Sequence, residues 1–274
     1  MILNITKHNI FRVLTRKITY VAILIVIVSS ICTLKRNSIL YSLNNMDHVG
    51  GLNLFIYSSI KDNGFMSLLA PFVIMMVYPS IIFEDIQNHY FEQLHLRIPN
   101  KNFYLLHTLQ SFFISGGVYV IAHVITLVIC CCVSPENSIM VTFLNGPFSD
   151  FYYKSLTLYC IVFILHSFLF GGVMGILGMG LAMHLHNKCI LWTLPTLVYY
   201  LGLDLLALFP EKSQYLMIFI IPLLPYEITT FNIPDIVHIS QLLVITIIGM
   251  VLVLTGIRNN DKDFNLYNLI GRIN

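Results

Sequence analysis

From Ser155 to Met183 the chain runs without a single Asp, Glu, Lys or Arg. That run exceeds the roughly 20 apolar residues needed to cross the hydrocarbon core of a bilayer. Five similar stretches accompany it: Ile18–Leu34, Phe65–Phe83, Phe103–Cys132, Cys189–Phe209 and Val237–Ile257. Lipid offers the backbone no hydrogen bonds, so each stretch must close its own as a helix. The expectation is an all-α, polytopic membrane protein with six transmembrane helices, forming a single domain over residues 1–274. Composition agrees, with 57% hydrophobic and only 10% charged residues, where a soluble domain carries about a quarter charged. The formal net charge of +2 comes from dispersed Lys and Arg. No basic tract marks the chain for nucleic acid.

The opening segment, MILNITKHNIFRVLTRK, interleaves Ile5, Ile10, Phe11 and Leu14 with Lys7, Arg12, Arg16 and Lys17. It reads as a basic amphipathic helix on a lipid surface. No small-x-small cleavage site follows it, so the first span is expected to be retained. Residues 214–236 are apolar but carry Pro222, Pro225 and Pro234. Proline removes helical hydrogen bonds, so a re-entrant hairpin is expected there rather than a seventh span. With six spans, one side holds Lys7, Arg12, Arg16, Lys17, Arg97, Lys101, Lys188, Arg258, Lys262 and Arg272. The other side holds Lys35, Arg36, Lys61, Lys154 and Lys212. The positive-inside rule then puts both termini in the cytoplasm of a multi-pass plasma-membrane protein.

The densest polar cluster, FEDIQNHYFEQLHLRIPNKNFY, runs from Phe83 to Tyr104, between the second and third spans. On a helix over Glu84–Ile98, the residues Ile86, Tyr90, Phe91, Leu94 and Ile98 share one face. Glu84 and Asp85 would occupy its first turn, where anions complement the helix dipole. The remaining polar residues are Glu, Gln, Asn and His, with Arg97 near the end, and not the Lys/Arg of a lipid-resting helix. That composition favours docking onto a protein. In the fourth span, Gly171 and Gly175 have G-x-x-x-G spacing and Gly178 follows, the pattern of a smooth face for a neighbouring helix. The six cysteines include no C-x-x-C pair and read as packing residues; the alternative for Cys130–Cys132 is S-acylation.

The layout resembles the type-2 ABC transporter permeases. The points of similarity are the N-terminal amphipathic helix, the six spans, FEDIQNHYFEQLHLRIPNKNFYLL between spans two and three, and the proline-broken hairpin before the last span. The resemblance implies that Glu84, Asp85, Ile86, Tyr90, Phe91, Leu94 and Arg97 belong to a coupling helix seated on a separate ABC ATPase subunit. It also implies a second permease copy, in a homo- or heterodimer, with spans two and five lining the path. Tyr199, Tyr200 and Asp204 in the fifth span are the candidate path residues. Asp204 in particular is an acidic group where the bilayer makes charge costly, unless it reaches water at the outer edge. No G-x-x-x-x-G-K-[ST] occurs in the sequence, so the chain holds no cofactor of its own in this reading; ATP and Mg²⁺ belong to the partner. The implied activity is export of a hydrophobic or amphipathic cargo, such as a peptide or drug, and not catalysis by this chain. The competing class is a stand-alone membrane enzyme. His123 and His166 lie at depths compatible with paired haem ligands, with His107 in the same span as His123. His184 and His186, two apart, form a poor metal pair. For an intramembrane hydrolase there is no H-E-x-x-H, and only Ser111 and Ser115 near Gly116-Gly117 as nucleophile candidates.

Overall fold

A computed structural model describes residues 2–43, 50–59, 65–88, 90, 100–133, 149–207 and 235–270. Among these the backbone closes its hydrogen bonds in ten helices and no strand. They are α1 (Ile2–Thr15), α2 (Lys17–Leu43), α3 (Gly51–Ser59), α4 (Phe65–Met76), α5 (Tyr78–Gln87) and α6 (Asn100–Val133). Then follow α7 (Ser149–Lys154), α8 (Leu156–Ala182), α9 (Lys188–Ala207) and α10 (Asp235–Ile270). Three stretches are long and apolar enough to cross a membrane: Phe103–Val133, Leu156–Ala182 and Ile239–Ile257. The count rises to five if α1–α2 and α4–α5, each a pair bent at a break, are one span apiece. The described apolar part of α9, Lys188–Val198, is shorter. The expected hairpin at 214–236 lies almost wholly outside the described residues.

Each bend has a local cause. Pro79 lies in the first turn of α5 and has no N–H to offer the carbonyl of Met75, four residues back. The hydroxyl of Ser80 donates to that carbonyl instead, at 3.0 Å, and α4 and α5 meet at 46°. At the first junction the helix breaks at Arg16, and the Thr19 hydroxyl donates to the carbonyl of Val13 at 2.7 Å. The chain turns there by 60°. Further along, Ser155 in extended conformation accepts from the N–H of Leu158 at 3.4 Å and opens α8, as an N-cap serine should.

The exposed surface is apolar, unlike that of a soluble bundle. On α6, Leu105, Leu109, Phe113, Ile121, Val124 and Val128 are exposed along one side. His107, Gln110, Ser111, Ser115, His123 and Thr126 are buried on the other. A helix that turns aliphatic groups outward and hydroxyls inward is solvated by lipid. The described bundle is therefore membrane-embedded.

α8 is the hub, packing most extensively on α6 and next on α10. Gly175 permits the first contact: a Cβ there would lie 2.5 Å from the Ser111 carbonyl and 2.7 Å from Ser115 Cβ. The Ser111 hydroxyl donates to the Gly175 carbonyl at 2.6 Å across this gap. Gly171 faces Gly116 and Tyr119 of α6, whereas Gly178 faces Met75 and Pro79 at the α4–α5 bend. α3 lies between the first two expected spans. Its Leu52, Phe55 and Ile56 pack with Cys130, Tyr159 and Cys160 in a second apolar cluster, and nine residues are too short a run to register as a span.

Candidate functional site

Thr6, Asn9 and Arg12 fall on the inner side of α1. Asn9 and Val13 are buried, with Thr6, Arg12 and Arg16 half-buried, a spacing of three and four that marks one helix face. This face lies against α5 and α6 through two polar layers.

The deeper layer is neutral. Tyr78 and Asn9 both donate to Gln110 Oε1, at 2.7 and 2.8 Å. Gln110 Nε2 donates to Thr6 Oγ1 at 2.9 Å. His107 Nδ1 lies 2.9 Å from the Tyr78 hydroxyl. Asn9, Tyr78, His107 and Gln110 are all buried.

The outer layer is ionic. Arg12 grips Asp85 with both ends of its guanidinium, Nη1 to Oδ2 at 2.9 Å and Nη2 to Oδ1 at 2.6 Å. This is the planar fork that arginine makes with carboxylates. Glu84 takes two cations, Arg16 on Oε2 and Lys188 on Oε1. Burial pushes the Glu84 carboxyl up, but the hydrogen bonds from Lys188 and Arg16 outweigh it and hold the group below its ordinary range. The Lys188 ammonium also lies 5.2 Å from the Trp192 ring centroid, and the Trp192 indole N–H donates to Ser80 Oγ at 2.7 Å. The α4–α5 bend, the acidic end of α5 and the start of α9 are thus one connected unit.

These contacts correct the sequence reading in two respects. First, Glu84 and Asp85 do not begin a helix over 84–98. They lie in the last turn of α5, which closes at the Asn88 cap. Carboxylates at a C-terminal end oppose the helix dipole, and three cations offset that cost. Second, Arg12 and Arg16 were expected on the lipid-facing side of α1; the two carboxylates draw them inward, leaving Lys7 and Lys17 exposed. Ile86 is half-buried against the main core, and the Arg12 guanidinium carbon lies 5.7 Å from the ring centroid of Tyr90. His8, Arg12, Asp85, Asn88 and Tyr90 line an open groove of about 340 Å³.

Phe91, Leu94 and Arg97 lie outside the described residues. Tyr199, Tyr200 and Asp204 are on α9, with side chains outside those described. His123 is buried among Tyr119, Phe55 and Phe163, whose ring centroids stand 4.6, 6.1 and 5.4 Å away, each edge-on. His184 bonds the Leu252 carbonyl at 2.9 Å, so only His186 of that pair matches the expected solvated loop. Asn9, Tyr78, Gln110 and Lys188 were missed as site residues. The spacing of Thr6, Asn9, Val13 and Arg16 carried a usable signal for the inner face of α1.

No family model matches the chain, and no curated protein matches it.

Proposed function

We propose that the chain is the membrane-spanning permease subunit of an ATP-driven type-2 ABC exporter. It works as a dimer of permease subunits, and a separate subunit hydrolyses ATP. The observation that carries this reading is the clamp on α5. That helix continues the bent second span, ends in Glu84 and Asp85, and is gripped there by α1 and α9. A push on the residues just beyond Asn88 would reach the second span, the N-terminal helix and the start of the fifth span together. Such stiffness is what a docking element needs if it is to move spans rather than bend. Residues 89–98, led by Tyr90, Phe91 and Leu94, form the remainder of the coupling segment on the cytoplasmic side. The apolar bundle suits a hydrophobic or amphipathic cargo, moved by alternating access along a path that includes Tyr199, Tyr200 and Asp204.

The test is an affinity purification of the tagged, detergent-solubilised protein from its native membranes, with co-purifying chains identified by mass spectrometry. A P-loop ATPase is expected with the native protein and is expected to be lost from a Tyr90→Ala/Phe91→Ala/Leu94→Ala variant. If gentle cross-linking captures no ATPase, the exporter has no energy source and the proposal fails.

A further inference from the structure

The four basic residues around α1 divide by type and direction. Both arginines turn inward onto carboxylates. Both lysines, Lys7 and Lys17, are exposed. Between the lysines, Ile10, Phe11 and Leu14 are 43%, 64% and 52% exposed, and with Lys7 they follow helical spacing along one face. Together with His8 these residues line a shallow groove of about 450 Å³. Beyond the 60° bend, Tyr20, Val21, Leu24, Val28 and Ile31 are exposed on α2, an apolar face for acyl chains in a membrane-embedded bundle.

We infer that the outward face of α1 is a binding site for anionic phospholipid. Lys7 and Lys17 each draw an anionic headgroup, and acyl chain lies over Phe11 and Leu14. Charge complementarity selects this occupant: two exposed ammonium groups with exposed apolar side chains between them in sequence. A lysine ammonium suits a headgroup, since it is a mobile point charge, while the arginines are spent on fixed carboxylates. Tyr20, one turn past Lys17, stands where aromatic side chains favour the headgroup level. Because the inner face of the same helix clamps α5, lipid held on the outer face bears on that clamp. The inference does not depend on the exporter reading.

The experiment is native mass spectrometry of the delipidated full-length protein in neutral detergent, given an equimolar mixture of phosphatidylglycerol and phosphatidylcholine. The native protein is expected to favour phosphatidylglycerol in the first lipid bound. Lys7→Gln and Lys17→Gln should each lower that preference about fivefold, the effect of one basic residue at an anionic surface. Lys154→Gln, at an exposed lysine on α7, should leave it unchanged. Phe11→Ser/Leu14→Ser should reduce the uptake of both lipids. All four changes are at exposed positions, and the intact mass reports folding and assembly in the same spectrum. An unaltered lipid preference in the double Lys7→Gln/Lys17→Gln variant overturns the inference. So does loss of a dimer mass in Phe11→Ser/Leu14→Ser with lipid uptake unchanged, which would assign the stripe to a second copy of the chain.

Discussion

The α6–α8 seam and the clamp at the end of α5 hold the same bundle by opposite means. The seam contains no charge. It works because Gly171 and Gly175 lack side chains, so that backbone meets backbone and a serine hydroxyl can cross to a carbonyl. The clamp depends on charge, with two carboxylates set against a helix dipole and three cations, Arg12 of α1, Arg16 at the α1–α2 break and Lys188 of α9. One should therefore answer to volume and be indifferent to protonation, and the other the reverse. A membrane bundle gains little from burying apolar surface, since lipid is equally apolar, so both close packing and polar bonds carry weight.

The largest effect is expected at the seam. Gly175→Leu puts four carbons where even one would lie 2.5 Å from the Ser111 carbonyl, and backbone cannot rotate away as a side chain can. The expected loss is about 3 kcal/mol or more, at the top of the overpacking range. It should be seen as a lowered Tm in detergent and be the same at pH 5 and pH 8. Next comes Asp85→Ala, which leaves the Arg12 guanidinium without its fork partner. A fully buried pair broken this way costs about 3–5 kcal/mol; with the Arg12 side chain 22% exposed and Asp85 6%, about 2–3 kcal/mol is expected. Exchanging the two, Arg12→Asp with Asp85→Arg, should recover part of the loss if charge is what matters. If Gly175→Leu is harmless, or the exchange is no better than Asp85→Ala, the contrast between the regions collapses.

The same contrast explains what could be read from sequence. Gly171, Gly175 and Gly178 announce a close helix approach within a single turn or two of chain, because small-residue spacing is local information. The apolar runs that became α6 and α8 were legible almost to the residue, for they are set by span length alone. Glu84 and Asp85 were visible as an unusual cluster, yet their meaning lay in partners 68 to 104 residues away. A helix boundary also misled: Ile86, Tyr90, Phe91, Leu94 and Ile98 fit a helical face, but Pro79 started the helix earlier and Asn88 ended it. α3 escaped notice because Leu52, Phe55 and Ile56 form a patch too short for a span.

The neutral layer beneath the clamp offers a finer probe. Tyr78→Phe removes the hydroxyl that links Gln110 and His107 while keeping the ring and its packing. Hydrogen bonds between membrane helices contribute about 0.6 kcal/mol on average. A loss of about 0.6–1 kcal/mol is expected, with α1 held less firmly. Limited proteolysis near Arg16 would register that loosening even where the global Tm barely moves.

The smallest effect is the most diagnostic of the clamp, since it concerns a single proton. Glu84 lies in the polar last turn of α5, past the apolar run Phe65–Phe83, and Lys188 and Arg16 depress its carboxyl below the ordinary range despite burial. A group depressed in the folded state binds its proton more weakly there than in the unfolded chain. Its contribution is therefore complete above the unfolded value, near 4.3, and declines as pH falls through the lower folded value. Partial exposure limits the effect to about 0.5 kcal/mol or less. The measurement is Tm against pH from 7 down to 3, comparing the native protein with Glu84→Gln. The native curve should fall more steeply in the acid range, and the difference between the two should shrink as pH drops. Parallel curves would mean that Lys188 and Arg16 stabilise nothing through the charge on Glu84, leaving the clamp to Arg12 and Asp85 alone.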